Sequence, residues 1–298
     1  MSSFFCRRKK PSAFKHYKQT TMKQDIYELI TEKLIQSLEQ GVAPWRKPWN
    51  NGGLPRNAIS NRHYSGINAF LLSCHGGDRF LTFKQALEAG GNVRKGEKGC
   101  PVIYWNWVER NKGGVVDKIP FLKHFTVFSV DQCDGLNLPA NEAQEGIEFV
   151  PVDKAEATIK ATGASIRHGG SQAFYIPSMD SISLPNKESF HSIGEYYSTA
   201  FHELVHWTGH ASRLARKGIE ESHAFGSPVY SKEELVAEMG AAFLCGSHGI
   251  DSTLENSAAY LQGWIAKLKG DPKLAMQASS CAAKAARFIL GEGKDEEA

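Results

Sequence analysis

Residues 202–206 read His-Glu-Leu-Val-His. On an α-helix, positions four apart share a face, so the imidazoles of His202 and His206 can bind one ion. Glu203, one residue after the first histidine, stands where a carboxylate can take a proton from a water polarised by that ion. The chemistry this spacing points to is metal-assisted hydrolysis. Zinc is the expected ion, one per chain, and another divalent ion would suit the same donors. A hydrolytic zinc site uses neutral imidazoles and a third protein ligand, and keeps one position for water. A structural zinc site is closed by four protein ligands and has no use for a neighbouring base, so Glu203 argues against that class.

The third ligand must come from elsewhere. Gly209 fits the metzincin pattern, but Ser212 stands where that pattern has its last histidine, and His210 falls two residues short. Residues 233–238, Glu-Glu-Leu-Val-Ala-Glu, offer a carboxylate instead. Glu234 and Glu238 lie four apart on one helix face, while Leu235, Val236 and Met239 can pack on a core. The arrangement resembles the gluzincin pattern, in which a ligand glutamate is followed at i+4 by an acid that orients an imidazole. That resemblance implies Glu234 as the third metal ligand and Glu238 as the orienting acid. The swapped assignment, Glu238 as ligand, stays open. His210, His223 and Tyr230 are read as structural, with Tyr230 or His223 available to stabilise an oxyanion.

A second chemistry is carried by residues 45–49. Trp45-Arg46-Lys47-Pro48-Trp49 interleaves aromatic rings with cations. Bases stack on aromatic faces while cations follow the phosphates, so the expected partner is single-stranded DNA. Arg56, Arg62, Tyr64, Asn68, Lys84, Arg94, Lys95 and Lys98 extend the basic surface, and Trp105 and Trp107 add two more rings. No helix-turn-helix or similar duplex-reading motif is visible. The charge is split to match. Residues 1–130 hold 21 Lys and Arg against 9 Asp and Glu, a net of +12; the remaining 14 against 23 give −9. A basic half joined to an acidic half suggests two domains with different partners.

Several elements must position these groups. Apolar residues at helical spacing predict a helix over 23–40, followed by a turn-rich loop over 43–57. Thr82 caps a short helix ending at Gly90-Gly91. Residues 101–108 and 121–130 read as strands, with Ile103, Trp105 and Trp107 on one face. In the second half, helices are expected over 152–161, 194–209, 232–246, 254–269 and 274–290, with short strands over 173–177 and 181–185. The fold class is α+β. The expected organisation is a basic leader over 1–21, an α+β nucleic-acid-binding domain over 22–133, an acidic linker over 134–150, a mostly helical metallopeptidase domain with a small sheet over 151–290, and an acidic tail over 291–298. A cut within 131–148 should then release two folded halves. With 41% hydrophobic and 22% charged residues, the composition is that of an ordinary globular protein. No run of 18 apolar residues occurs, so no membrane partner is expected. The six cysteines are scattered without a Cys-x-x-Cys pair, which fits a reduced, cytoplasmic setting.

Three stretches of the first half resemble the N-terminal domain of the ArdC-type plasmid antirestriction proteins, a domain shared with the plasmid TraC primases. These are Ala-Pro-Trp-Arg-Lys-Pro-Trp within 41–50, Ser-Asn-Arg-His-Tyr-Ser-Gly-Ile-Asn at 60–68, and Gly-Glu-Lys-Gly at 96–99. Residues 201–210 and 233–243 resemble the zincin-like metallopeptidase domain of the same proteins. The likeness covers about 22–290, both domains in order. It implies single-stranded DNA binding by the first domain and protection of incoming plasmid DNA from host restriction during conjugation. The alternative expectation is a metalloprotease whose basic domain docks it at DNA-bound protein substrates.

Overall fold

The computed structural model describes residues 25–46, 54–112, 115–138, 151–220, 227–250 and 258–292; for 105–112, 115–122, 151 and 220 it describes the backbone alone. Helix α1 (Ile26–Glu39) is capped by Asp25, whose side chain accepts from the Tyr27 N–H, and buries Ile30, Leu34, Ile35 and Leu38. Strand β1 (Arg56–Asn57), helix α2 (Ile67–His75), strand β2 (Arg79–Thr82) and helix α3 (Phe83–Glu88) follow. Thr82 and Gln85 form a capping box at the start of α3, satisfying two backbone donors reciprocally. Strand β3 (Asn92–Val93) precedes the long strands β4 (Cys100–Lys112) and β5 (Val115–Ser129), and β6 (Cys133–Asp134) closes the first half. The four-stranded sheet runs β1-β2-β5-β4, with β1 parallel to β2 and the other pairs antiparallel.

The second half begins with α4 (Pro151–Thr162) and a three-stranded sheet of β7 (Ser165–His168), β8 (Phe174–Ile176) and β9 (Ser181–Leu184), ordered β7-β9-β8. Helices α5 (Ile193–Thr208), α6 (Lys217–Glu220), α7 (Pro228–His248), α8 (Ala258–Gly270) and α9 (Leu274–Leu290) complete it. The α+β class expected from the pattern is thus what the chain adopts. Helix α7 begins four residues earlier than apolar spacing suggests, because Ser227 caps it by accepting from the Tyr230 N–H and Pro228 occupies its first turn.

One hydrophobic core runs through both halves, from Ile30 to Ile289. The Trp45 ring meets Trp264 edge-on at 5.9 Å between centroids, and Phe70 lies 4.8 Å from Phe243. The Thr31 hydroxyl donates to the Pro272 carbonyl at 2.8 Å. The start of the stretch read as a linker is anchored as well. Asp134 pairs with Asn92, the Asn137 N–H donates to the Ala89 carbonyl at 2.8 Å, and Leu136 and Leu138 pack on Ala58, Leu81 and Ala86. Residues 139–150 lie outside the described residues. Among the described residues, no helix is long and apolar enough to cross a membrane.

Candidate metal centre

Helix α5 carries His202, Glu203 and His206, and its other positions explain why it stays in place. Ser192 caps it by accepting from the Glu195 N–H, and Tyr197, Ala200, Phe201, Leu204 and Val205 are fully buried. Helix α7 crosses against it at Gly240. A Cβ there would lie 2.6 Å from Val205 Cγ2, closer than carbon atoms tolerate, so glycine is what lets the two helices approach. That approach brings Glu234 to the histidines.

The two imidazole Nε2 atoms stand 3.1 Å apart. Glu234 Oε2 lies 3.6 Å from His202 Nε2, and Glu234 Oε1 lies 3.7 Å from His206 Nε2. One donor atom from each of the three residues falls within 4.8 Å of the others. These are about the separations of ligands around one cation bonded at ~2.0–2.2 Å. Two imidazoles and a carboxylate form a donor set suited to a divalent transition metal, so the residues fit such an ion. Glu203 is buried beside them at 6% exposure. Burial would lower the His202 imidazole, but its hydrogen bond to Glu234 and then the charge of Glu203 raise it.

Glu233, which spacing did not single out, backs this cluster. Its Oε1 lies 3.4 Å from His206 Nδ1, which leaves Nε2 of that ring directed at the centre and fixes its tautomer. Arg216 grips the same carboxylate, with Nη2 at 2.7 Å from Oε1 and Nε at 3.0 Å from Oε2. Burial alone would raise the Glu233 carboxyl; hydrogen bonds from His206 and Arg216 outweigh it and hold the group below the usual carboxylate range. A Cβ on Gly218 would come within 2.8 Å of Glu233 Cβ, so α6 can lie over this pair only with glycine there. Burial and the nearby charge of Glu234 push the Tyr230 phenol up, and Glu203 adds to the shift. His210 turns away to Ser212 at 2.9 Å, and His223 lies outside the described residues.

Glu238 does something other than orient an imidazole. It accepts a hydrogen bond from the Tyr260 hydroxyl, and Arg46 Nε stands 3.9 Å from it. The Arg46 guanidinium lies 3.5 Å over the Tyr260 ring, and the Tyr260 hydroxyl accepts from Trp45 Nε1 at 2.8 Å. Burial pushes the Glu238 carboxyl up despite these partners. Trp45, Arg46, Ser198, Thr199, His202, Glu238, Ala241 and Ala242 line a cavity of about 140 Å³. This cavity, which includes His202, is therefore walled by both halves of the chain.

Several expected nucleic-acid contacts are corrected by this arrangement. Trp45 is 2% exposed and enclosed by Tyr260 and Trp264, so its ring has no face for a base. Arg46 is turned to Tyr260 and Glu238. The Asn68 amide is spent on the sheet, donating to the Ile103 carbonyl and accepting from the Ile103 N–H, both at 2.7 Å. Tyr64 is half-buried, edge-on to Phe80, and its hydroxyl bonds Asn57. Arg62, Lys95 and Lys98 are exposed, Arg56 is half-buried in β1, and Lys84 faces Glu88 at 3.5 Å. Arg94 is held by Glu97, Asp134 and the Asp131 carbonyl. Lys47 and Trp49 lie outside the described residues, and Trp105 and Trp107 are described only as backbone of β4.

Comparison with known proteins follows the same division. Residues 24–128 match the N-terminal domain of anti-restriction factor ArdC, and residues 153–281 match a zincin-like metallopeptidase family. The metal-free crystal structure of the antirestriction ArdC protein from plasmid R388 is 38% identical, with a TM-score of 0.74, over 90% of this chain and 98% of that one. Its Mn(II)-bound crystal structure is 37% identical, with a TM-score of 0.73, over 92% and 100%. A DNA primase TraC of Escherichia coli is 40% identical over 90% of this chain, which spans 20% of the primase's length.

Proposed function

From the premise that the chain belongs to the ArdC antirestriction family, whose N-terminal domain and zincin-like domain it carries in order, we propose a two-part activity. The first half binds single-stranded DNA, and the protein shields plasmid DNA entering a new host from restriction during conjugation. The second half holds one divalent ion, zinc first, on His202, His206 and Glu234. The manganese in the R388 relative's structure supports a divalent ion. When bound there, the ion supplies a Lewis acid for hydrolysis. Glu203 accepts the proton of the attacking water at its carboxylate, and the Tyr230 phenol beside Glu234 donates toward a developing oxyanion.

The observation that carries the reading is the convergence of those three donors with a buried carboxylate beside them. A titration with single-stranded and double-stranded DNA, with and without chelator, tests the nucleic-acid half of the proposal and its independence from the metal. Single strand should bind more tightly, weaken steeply with salt and survive chelation. Equal affinity for duplex, or no DNA binding at all, would remove the nucleic-acid part. A second reading, a metalloprotease docked at DNA-bound proteins, is favoured by Trp45 and Arg46 of the basic half lining one cavity with His202. Cleavage of a DNA-bound protein that stops in Glu203→Gln would select it.

A further inference from the structure

Most described rings of the first half serve the core: Trp45, Phe70 and Phe80 are 0–2% exposed. Tyr104 and Phe125 are the exceptions on the β4–β5 ribbon, at 42% and 45%. In the antiparallel register Tyr104 stands opposite Lys123, and Val102 stands opposite Phe125. Opposed residues, and every second residue along a strand, share a face. Tyr104, Phe125 and Lys123 therefore crowd one side of the ribbon. The two rings meet at 6.5 Å between centroids with 67° between their planes. Cys100, Val102 and Val127 share this face and are buried at its base, so the ring pair is seated where the ribbon emerges from the core. The two adjacent rings therefore keep part of their faces open to solvent on this side of the ribbon.

We infer that Tyr104 and Phe125 form a stacking platform for the bases of single-stranded DNA, with Lys123 beside them to meet a phosphate. The inference rests on the nucleic-acid reading of the first half and names the surface that performs it. Three things select this occupant. Ring faces accept any unpaired base. Lys123 is exposed and directly across from Tyr104. Residues 1–130 carry a net +12, complementary to a polyanion. Duplex DNA keeps its bases stacked on one another and offers nothing to two exposed rings.

The test is fluorescence anisotropy of the full chain with a labelled oligothymidine. Tyr104→Ala and Phe125→Ala should each weaken binding about 5- to 150-fold, the range expected for losing one stacked base. Tyr104→Phe and Phe125→Tyr should retain it, since either ring still offers a face. Lys123→Gln should lower the salt slope by ~0.7, the value of one single-strand phosphate contact. If the wild type binds and both alanine variants bind as tightly, the platform is wrong while the nucleic-acid reading stands. If the wild type does not bind, both fall. A duplex that binds as tightly as the single strand, with the same loss in the variants, overturns the stacking mode. Alanine variants that keep DNA affinity but lose a self-association seen by sedimentation would assign the rings to a contact between copies.

Discussion

Arg216 meets three acceptors at once: the Glu233 carboxylate, the Thr208 hydroxyl at 2.8 Å and the Val205 carbonyl at 2.6 Å. It neutralises a glutamate that is only 5% exposed. Arg216→Gln would leave that charge buried without a full partner, so a loss of ~3–5 kcal/mol is expected, read as a lower urea midpoint. The pH dependence has a definite sign. The folded Glu233 carboxyl lies below its ordinary 4.5, so its contribution is present above that value. It is lost as pH falls through the depressed value. Urea midpoints measured from pH 7 downward should therefore lose the difference between wild type and Arg216→Gln only in acid. Glu233→Ala should weaken metal affinity by ~10–100-fold through the freed His206 ring. Glu238→Ala should affect metal less, because its partners are Tyr260 and Arg46. Metal titration of the two variants checks the order.

The elements around the site divide into those that periodicity reveals and those it does not. Helices α1, α5 and α9 show their apolar spacing plainly, and the i, i+4 rule puts His202 and His206 on one face. Glu234 comes from the resemblance to the gluzincin pattern, not from periodicity. Glu233 does not stand out in the sequence, because a helix pattern assigns a glutamate to solvent unless its cation is known. That cation, Arg216, sits in an irregular turn 17 residues away. The burial of Trp45 is hidden from the sequence for a related reason. Its local setting of cations and prolines suits a nucleic-acid loop, while the partner that covers it, Tyr260, is 215 residues away. Strands β3 and β6 have two residues each, too few to show a period. Gly240→Ala should push α5 and α7 apart, costing ~1–3 kcal/mol and lowering metal affinity together. Differential scanning calorimetry with metal titration checks both. A variant with normal melting and normal metal binding would show that the helices have room to spare.

At the scale of the molecule, family likeness divides the chain into two domains, but its buried side chains form one core. Trp45, Thr31 and Phe70 of the first half pack or bond to Trp264, Pro272 and Phe243 of the second. A cut within 139–150 should therefore leave the halves associated, and each half expressed alone should be poorly folded. Trp45→Ala should cost ~3–5 kcal/mol of overall stability, as large aromatic truncations in cores do. Size-exclusion chromatography after limited proteolysis distinguishes this from two freely separating domains. The shared core also brings Trp45 and Arg46 of the basic half into the cavity that His202 lines.

The proposed centre has His202, His206 and Glu234 holding one divalent ion, with Glu203 beside them as a base. Elemental analysis of purified variants tests it most directly. Expected are about one ion per wild-type chain, near-complete loss in His202→Ala, His206→Ala and Glu234→Ala, and full occupancy in Glu203→Gln. A fully loaded Glu234→Ala beside a metal-free Glu238→Ala, or loss of metal in Glu203→Gln, would contradict it.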